Sequence, residues 1–113
     1  MVLFFELKEG NGAVKEYNYL CTLEFEGEYL NGLRNGKGKE YYWFSDELKF
    51  EGEYLNGKKH GKGKEYNNIG KLIYEGEYLN GGRNGKGKEY RFNEELIFEG
   101  EYLKGNKWNG KGK

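Results

Sequence analysis

The chain has 113 residues, enough for one domain, and sets 19 Lys and Arg against 19 Asp and Glu. That formal neutrality speaks against a generally basic nucleic-acid binder and against an acidic tail. A charged fraction of 34% alone points to disorder, but 11 tyrosines and 7 phenylalanines supply apolar area that a disordered chain lacks. No apolar stretch is long enough to span a bilayer as a helix. The opening "MVLFFELKEG" has neither a basic n-region nor a small-residue cleavage site, so it does not read as a signal peptide. A lone cysteine, Cys21, cannot form an intramolecular disulfide and fits a reducing, cytoplasmic setting, where it is expected to be a small half-buried filler.

Taken in chain order, residues 1–24 form a degenerate half-unit or cap, in which "NGAVKEY" (Asn11 to Tyr17) matches a later "NGKGKEY". Three near-identical units follow, at 25–49, 50–73 and 74–97, and an incomplete one at 98–113. Each opens on an aromatic residue, Phe25, Phe50, Tyr74 or Phe98, and runs "-EGEYL" into a turn signal and then "GKGKEY". An internal period of this length is the mark of a repeat architecture. Glycine every few residues excludes helix. In "LEFEGEY", Leu23, Phe25, Gly27 and Tyr29 alternate with glutamates, which is strand periodicity with one aromatic and one acidic face. Asn31-Gly32, Asn56-Gly57 and Asn80-Gly81 then accept positive φ in hairpin turns.

One unit is thus one β-hairpin, and the whole is an all-β, single-layer antiparallel meander of successive hairpins, elongated and twisted. Four and a half units, each advancing about two strand spacings, predict a strip roughly 45 Å long. A constant residue sum within the hairpin places Glu28 opposite Lys37, Glu26 opposite Lys39, Tyr29 opposite Gly36 and Gly27 opposite Gly38. Opposite charges are expected to pair on the wet face, and rings to lie over bare glycine backbone on the other. A bulge near Glu40 is an open alternative that moves Tyr41 to the aromatic face.

The repeated words resemble the MORN repeat (membrane occupation and recognition nexus), on the spacing aromatic-x-G-x-Y-x-x-G, a turn, then G-x-G and an aromatic. Gly27, Gly32, Gly36 and Gly38 match the family's glycines. Tyrosine (Tyr29, Tyr54, Tyr78, Tyr102) stands at the usual tryptophan position. The "KEY" ending and the "G-K-L" linker from Gly70 to Leu72 are similar to antitoxin-like variants of the repeat. The resemblance implies a scaffold that tethers proteins, dimerises or contacts phosphoinositide membranes, and that accompanies a catalytic domain in larger proteins.

No residue pattern asks for catalysis or a cofactor. His60, the lone histidine, fills a slot held by Asn35 and Asn84, so it reads as a turn former and not as a general base. No second histidine completes a metal cluster. The glutamates recur at repeat positions, which is architecture, and "GKGK" lacks the P-loop spacing and the helix that follows it. Three groups of residues are left as candidates. An aromatic interaction face combines Phe25, Tyr29, Phe50, Tyr54, Tyr74, Tyr78, Phe98 and Tyr102, which also serve as a minimal core. A basic turn rim combines Arg34, Lys58, Lys59, His60, Arg83 and Lys107, with Lys104 nearby, and faces either solvent or anionic lipid. Off-pattern aromatics, Trp43, Phe44 and Trp108, are expected to cover the sheet locally or to anchor a partner.

The expected function is a non-enzymatic repeat scaffold that binds a protein, or itself as a homodimer, through the aromatic face. The alternatives are a peripheral phosphoinositide- or anionic-membrane-binding module using the basic rim, an accessory domain of a larger enzyme, and a consensus-like repeat array.

Overall fold

The computed structural model describes residues 2–112, of which residues 2–8 are described as backbone only. Ten strands form one antiparallel sheet in strict sequence order. They are β1 (Val2–Lys8), β2 (Asn11–Tyr17), β3 (Leu23–Leu30), β4 (Leu33–Tyr41), β5 (Leu48–Leu55), β6 (Lys58–Tyr66), β7 (Leu72–Leu79), β8 (Gly82–Tyr90), β9 (Leu96–Leu103) and β10 (Asn106–Gly112). The molecule measures 46 × 27 × 17 Å, a length close to the roughly 45 Å expected from the repeat units. Residues 1–24, read as half a unit, supply a whole hairpin, β1–β2, so the meander contains five hairpins.

Each hairpin closes on two residues with positive φ, as a type I′ turn requires. The pairs are Glu9 and Gly10, Asn31 and Gly32, Asn56 and Gly57, Asn80 and Gly81, and Lys104 and Gly105. Because the turn is so short, the residues after it already belong to strands. Each turn also hangs on the hairpin before it. The amides of Gly32, Gly57, Gly81 and Gly105 donate to the carbonyls of Gly10, Arg34, Lys59 and Arg83 at 2.8–3.0 Å.

The register is partly as expected. Glu26 faces Lys39 and Gly27 faces Gly38, but Tyr29 faces Arg34 and not Gly36. Two additional residues on β4 around Gly36 (φ +88°) form a bulge there. The pairs expected within the hairpin appear instead between hairpins, where Gly36 faces Tyr54 and Lys37 faces Glu53. A second irregularity lies between Glu40 and Tyr41, opposite Lys49. It does not bring Tyr41 to the aromatic face, since the Tyr41 hydroxyl donates to Glu26 Oε1 at 2.5 Å.

The core is a single file of rings. Phe25, Phe50, Tyr54, Tyr74, Tyr78, Phe98 and Tyr102 are at most 6% exposed. Each tyrosine meets the opening aromatic of its own unit and that of the unit before, edge to face. Tyr54 lies 5.7 Å from Phe50 and 5.3 Å from Phe25. Tyr78 lies 5.5 Å from Tyr74 and 5.2 Å from Phe50, and Tyr102 continues the file. Edge-to-face contact at 4.5–7 Å is the arrangement that ring quadrupoles favour. Glycine is required beneath them. A Cβ on Gly63 would come within 2.6 Å of the Phe50 ring and 3.0 Å of Tyr78, and one on Gly38 would meet Phe25 and Tyr54 as closely.

Candidate functional site

Rings on one side of a single sheet need a cover, and charged residues provide it. Arg34 stacks over Phe25 at 4.1 Å, Lys59 over Phe50 at 4.3 Å, Arg83 over Tyr74 at 4.1 Å and Lys107 over Phe98 at 5.1 Å. Such contacts combine cation–π attraction with burial of the aliphatic stem. The glutamate of each "KEY" holds these cations in place. Glu16 accepts from Arg34 through both oxygens, at 2.9 and 3.0 Å. Glu65 does the same for Arg83, at 3.0 and 3.1 Å. Lys107 Nζ lies 3.3 Å from Glu89, and Arg83 bridges to the same carboxylate at 3.1 Å. The tyrosine hydroxyls complete the layer: Tyr29 donates to Glu16, Tyr54 to Glu40, Tyr78 to Glu65 and Tyr102 to Glu89.

These contacts fix protonation states. Burial works to raise Glu16 and Glu65, but the hydrogen bonds from Arg34 and Tyr29, and from Arg83 and Tyr78, outweigh it and hold both carboxyls below their ordinary value. Burial, and next the carboxylate that each hydroxyl faces, pushes Tyr29 up to about 12 and Tyr78 and Tyr54 higher still. Around neutral pH Glu16 and Glu65 are therefore ionised, and Tyr29, Tyr54 and Tyr78 keep their protons.

Two groups of expected site residues therefore change place. The eight rings of the aromatic face are brought together, but seven are buried core and Tyr29 is half-buried, so the face is not open to a partner. Arg34, Lys59, Arg83 and Lys107 do not form a turn rim; they lie across the rings, bound to glutamates. Lys58, at the start of β6, is exposed, as is Lys107, although Lys107 keeps its glutamate and its ring. His60 is a half-buried strand residue, not part of the turn. In the equivalent slots, Asn35 and Asn84 accept from the backbone amides of Asn56 and Lys104 at 3.3 and 3.1 Å.

The off-pattern aromatics do not cover the sheet. Trp43 and Phe44 stand in the β4–β5 linker at 58% and 52% exposure, packed against each other and Tyr42. Trp108 is 66% exposed on β10. Cys21 is exposed as well, at a positive-φ linker position shared with Asp46, Gly70 and Glu94, so the filler expectation fails. Sequence reasoning missed a row of half-exposed leucines, Leu30, Leu55, Leu79 and Leu103, one before each turn. Their identical position in every unit was the available signal.

The opposite face is open. A continuous trough of about 1530 Å³ crosses β2 to β9. Its floor is the backbone of Gly27, Gly38, Gly52, Gly63, Gly76, Gly87 and Gly100, and its walls are the glutamates and lysines flanking each glycine. From β3 to β9 odd strands contribute two glutamates and even strands two lysines, and β2 contributes Lys15, so charge changes sign from strand to strand. The expected ion pairs across strands largely do not close. Lys88 lies 3.9 Å from Glu99, whereas Lys37, Lys39, Lys62, Lys64 and Lys86 have no acidic group within ion-pair distance among the described residues. The glutamates are engaged elsewhere. Glu26, Glu51 and Glu75 accept from Tyr41, Tyr66 and Tyr90. Glu28, Glu53 and Glu77 accept from the bulge amides of Lys37, Lys62 and Lys86 at 2.8–2.9 Å.

No group of three or more His, Cys, Asp or Glu suited to a metal occurs among the described residues, and none of their helices is long and apolar enough to cross a membrane. A single-layer sheet of stacked hairpins, with a closed aromatic face and an open charged one, defines a repeat scaffold. The family model of the MORN repeat matches residues 25–42, 50–70 and 74–93, together just over half of the chain, and the chain belongs to that family. The matches coincide with β3–β4, β5–β6 and β7–β8 and leave both terminal hairpins outside. No curated protein matches the chain. The MORN repeat is a non-catalytic module.

Proposed function

We propose that the protein is a non-enzymatic scaffold that holds an extended segment of a partner protein in the trough of its charged face. The observation that carries this reading is the trough itself: eight strands long, apolar on its floor and lower walls, and lined by lysines of which Lys37, Lys39, Lys62, Lys64 and Lys86 have no acidic partner among the described residues. Concavity with a few convergent polar groups is what binding sites share. The aromatic face is buried, and the cations first assigned to a lipid-contacting rim are bound to glutamates and stacked on rings. Both are therefore less suited to a partner than the trough.

Peptides selected from a random displayed library on the folded protein test this. Backbone amide shifts on binding are expected along β3 to β9 at the trough-lining residues. Binding should weaken in a Lys39→Gln, Lys62→Gln, Lys64→Gln variant whose circular dichroism is unchanged. Shifts confined to the linkers around Trp43 and Phe92, or to the leucine-tipped turns, would overturn the reading, as would undiminished binding to the variant.

A further inference from the structure

We infer that the trough is built for a polyproline II segment carrying an acidic residue at every third position; this rests on the trough being the binding surface. The partner's backbone conformation follows from what the sheet withholds. Strands β2 to β9 are each paired on both sides, so a ligand lying across them finds no free ladder groups and cannot add as a strand. It must satisfy its backbone by itself, as an α-helix does, or leave it in water, as polyproline II does.

Size separates these two. The trough walls stand two residues apart along each strand, roughly 6.7 Å. A helix with side chains is about 10–12 Å across and does not fit between them. Seven strand spacings make the trough about 34 Å long. A polyproline II chain is slimmer, rises about 3.1 Å per residue, and spans the trough in about eleven residues.

Charge sets the period. Lysine bands lie on β2 (Lys15), β4 (Lys37, Lys39), β6 (Lys62, Lys64) and β8 (Lys86, Lys88). They recur every second strand, roughly 9.6 Å. Polyproline II repeats every three residues, about 9.3 Å, so side chains at i, i+3, i+6 and i+9 meet successive bands with little accumulated error. An extended strand places same-side residues about 6.7 Å apart and falls out of step within one band. The sign follows from the hydrogen bonds. Six of the eight trough glutamates already accept from tyrosines or bulge amides, Glu99 lies near Lys88, and five of the lysines have no acidic partner among the described residues.

Fluorescence anisotropy with a labelled (Glu-Pro-Pro)4 peptide tests the inference. It is expected to bind in low salt and to lose affinity as salt rises. A composition-matched scramble without the three-residue period, (Lys-Pro-Pro)4, and a helix-forming (Glu-Ala-Ala)4 should each bind about tenfold more weakly or worse. Equal binding of the scramble, tighter binding of the helical peptide, or no binding of (Glu-Pro-Pro)4 would overturn the inference. If every acidic peptide binds alike but all lose affinity in the Lys39→Gln, Lys62→Gln, Lys64→Gln variant, the periodic match fails and the trough reading stands. Where that variant binds all of them as well as the parent does, the trough reading fails too.

Discussion

The two faces of this sheet carry much the same residue types and use them in opposite ways. Both hold tyrosines, glutamates and cations. On the aromatic face, Glu65 is chelated by Arg83 and capped by Tyr78, and the cation lies flat on a ring. On the other, Glu51 accepts from Tyr66 while Lys62 and Lys64 stand in solvent. What separates them is the glycine row. Missing Cβ atoms let rings sink onto the backbone of one face, and the rings then give cations something to stack on. On the other face the rings of Tyr41, Tyr66 and Tyr90 reach glutamates and do not lie over the glycine row, so its lysines have little to hold them. Charge close to rings becomes structure, and charge without them becomes available surface.

The largest effect expected to break this comparison comes from emptying the ring file. Phe50 is 1% exposed and touches both Tyr54 and Tyr78. Phe50→Ala is expected to cost about 3–5 kcal/mol, read from urea melts. Lys62→Ala and Lys64→Ala on the trough face should stay within about 0.5 kcal/mol of the parent. Comparable losses on both faces would erase the distinction.

Filling a glycine site is the next test. Gly63 sits in extended backbone, so alanine is conformationally allowed there, and only space opposes it. Gly63→Ala is expected to cost about 1–3 kcal/mol, because a ring and not a flexible chain end must move. Adding Phe50→Leu should make the alanine less costly than it is alone. Additive costs would show that the ring is not what excludes the Cβ.

Breaking the charged cover should cost less. Glu65→Gln leaves the Arg83 guanidinium half-buried with weaker acceptors, at about 1–2 kcal/mol. It should also change the acid limb of stability. The folded value of Glu65 lies below its ordinary 4.5, so its contribution is complete above that ordinary value and is lost as pH falls through the lower folded one. The variant should therefore lose less stability between neutral pH and pH 3 than the parent. At the alkaline end the sign is reversed. Tyr66, Tyr74 and Tyr90 are pushed up to about 12 from an ordinary 10.0. Their contribution is intact below pH 10 and fades as pH climbs toward 12, in parent and variant alike.

Much of this was legible from period alone. Alternation in "LEFEGEY" identified the strands and the ring face, and Asn-Gly pairs identified the turns. The inner register was correct at Gly27 and Gly38, where two glycines face each other. It failed two residues away, because the bulge at Gly36 is chosen by contact with the next hairpin and not by local sequence. The assignment of Arg34 to a rim failed for a related reason. A two-residue turn makes Arg34 a strand residue, and only the assembled sheet shows that Phe25 lies beneath it and Glu16 beside it. The last unit diverges furthest. An inserted Trp108 leaves β10 with a one-residue irregularity where the others have two, so Gly110, not Gly112, faces Gly100. The trough was not legible at all, since a volume arises from neighbouring strands together and has no spacing of its own in the chain.

The smallest effect concerns a single slot and sharpens the comparison by its sign. Asn35 and Asn84 each reach across to the next hairpin and accept the backbone amide at the first turn residue, and Asn11 does the same for Asn31 at 2.8 Å. His60 occupies the fourth such slot, and among the described residues the amide of Asn80 has no side-chain acceptor. An amide at an exposed turn is served by water, so the loss is modest, yet a fixed acceptor also ties one hairpin to the next. His60→Asn is therefore expected to stabilise the protein by about 0.5–1 kcal/mol. Amide exchange at Asn80 should slow toward the rate at Asn56, with no change at the ring file. A neutral or destabilising result would mean that His60 contributes packing at the trough's end that asparagine cannot replace, and would place the residue with the open face and not with the joints between hairpins.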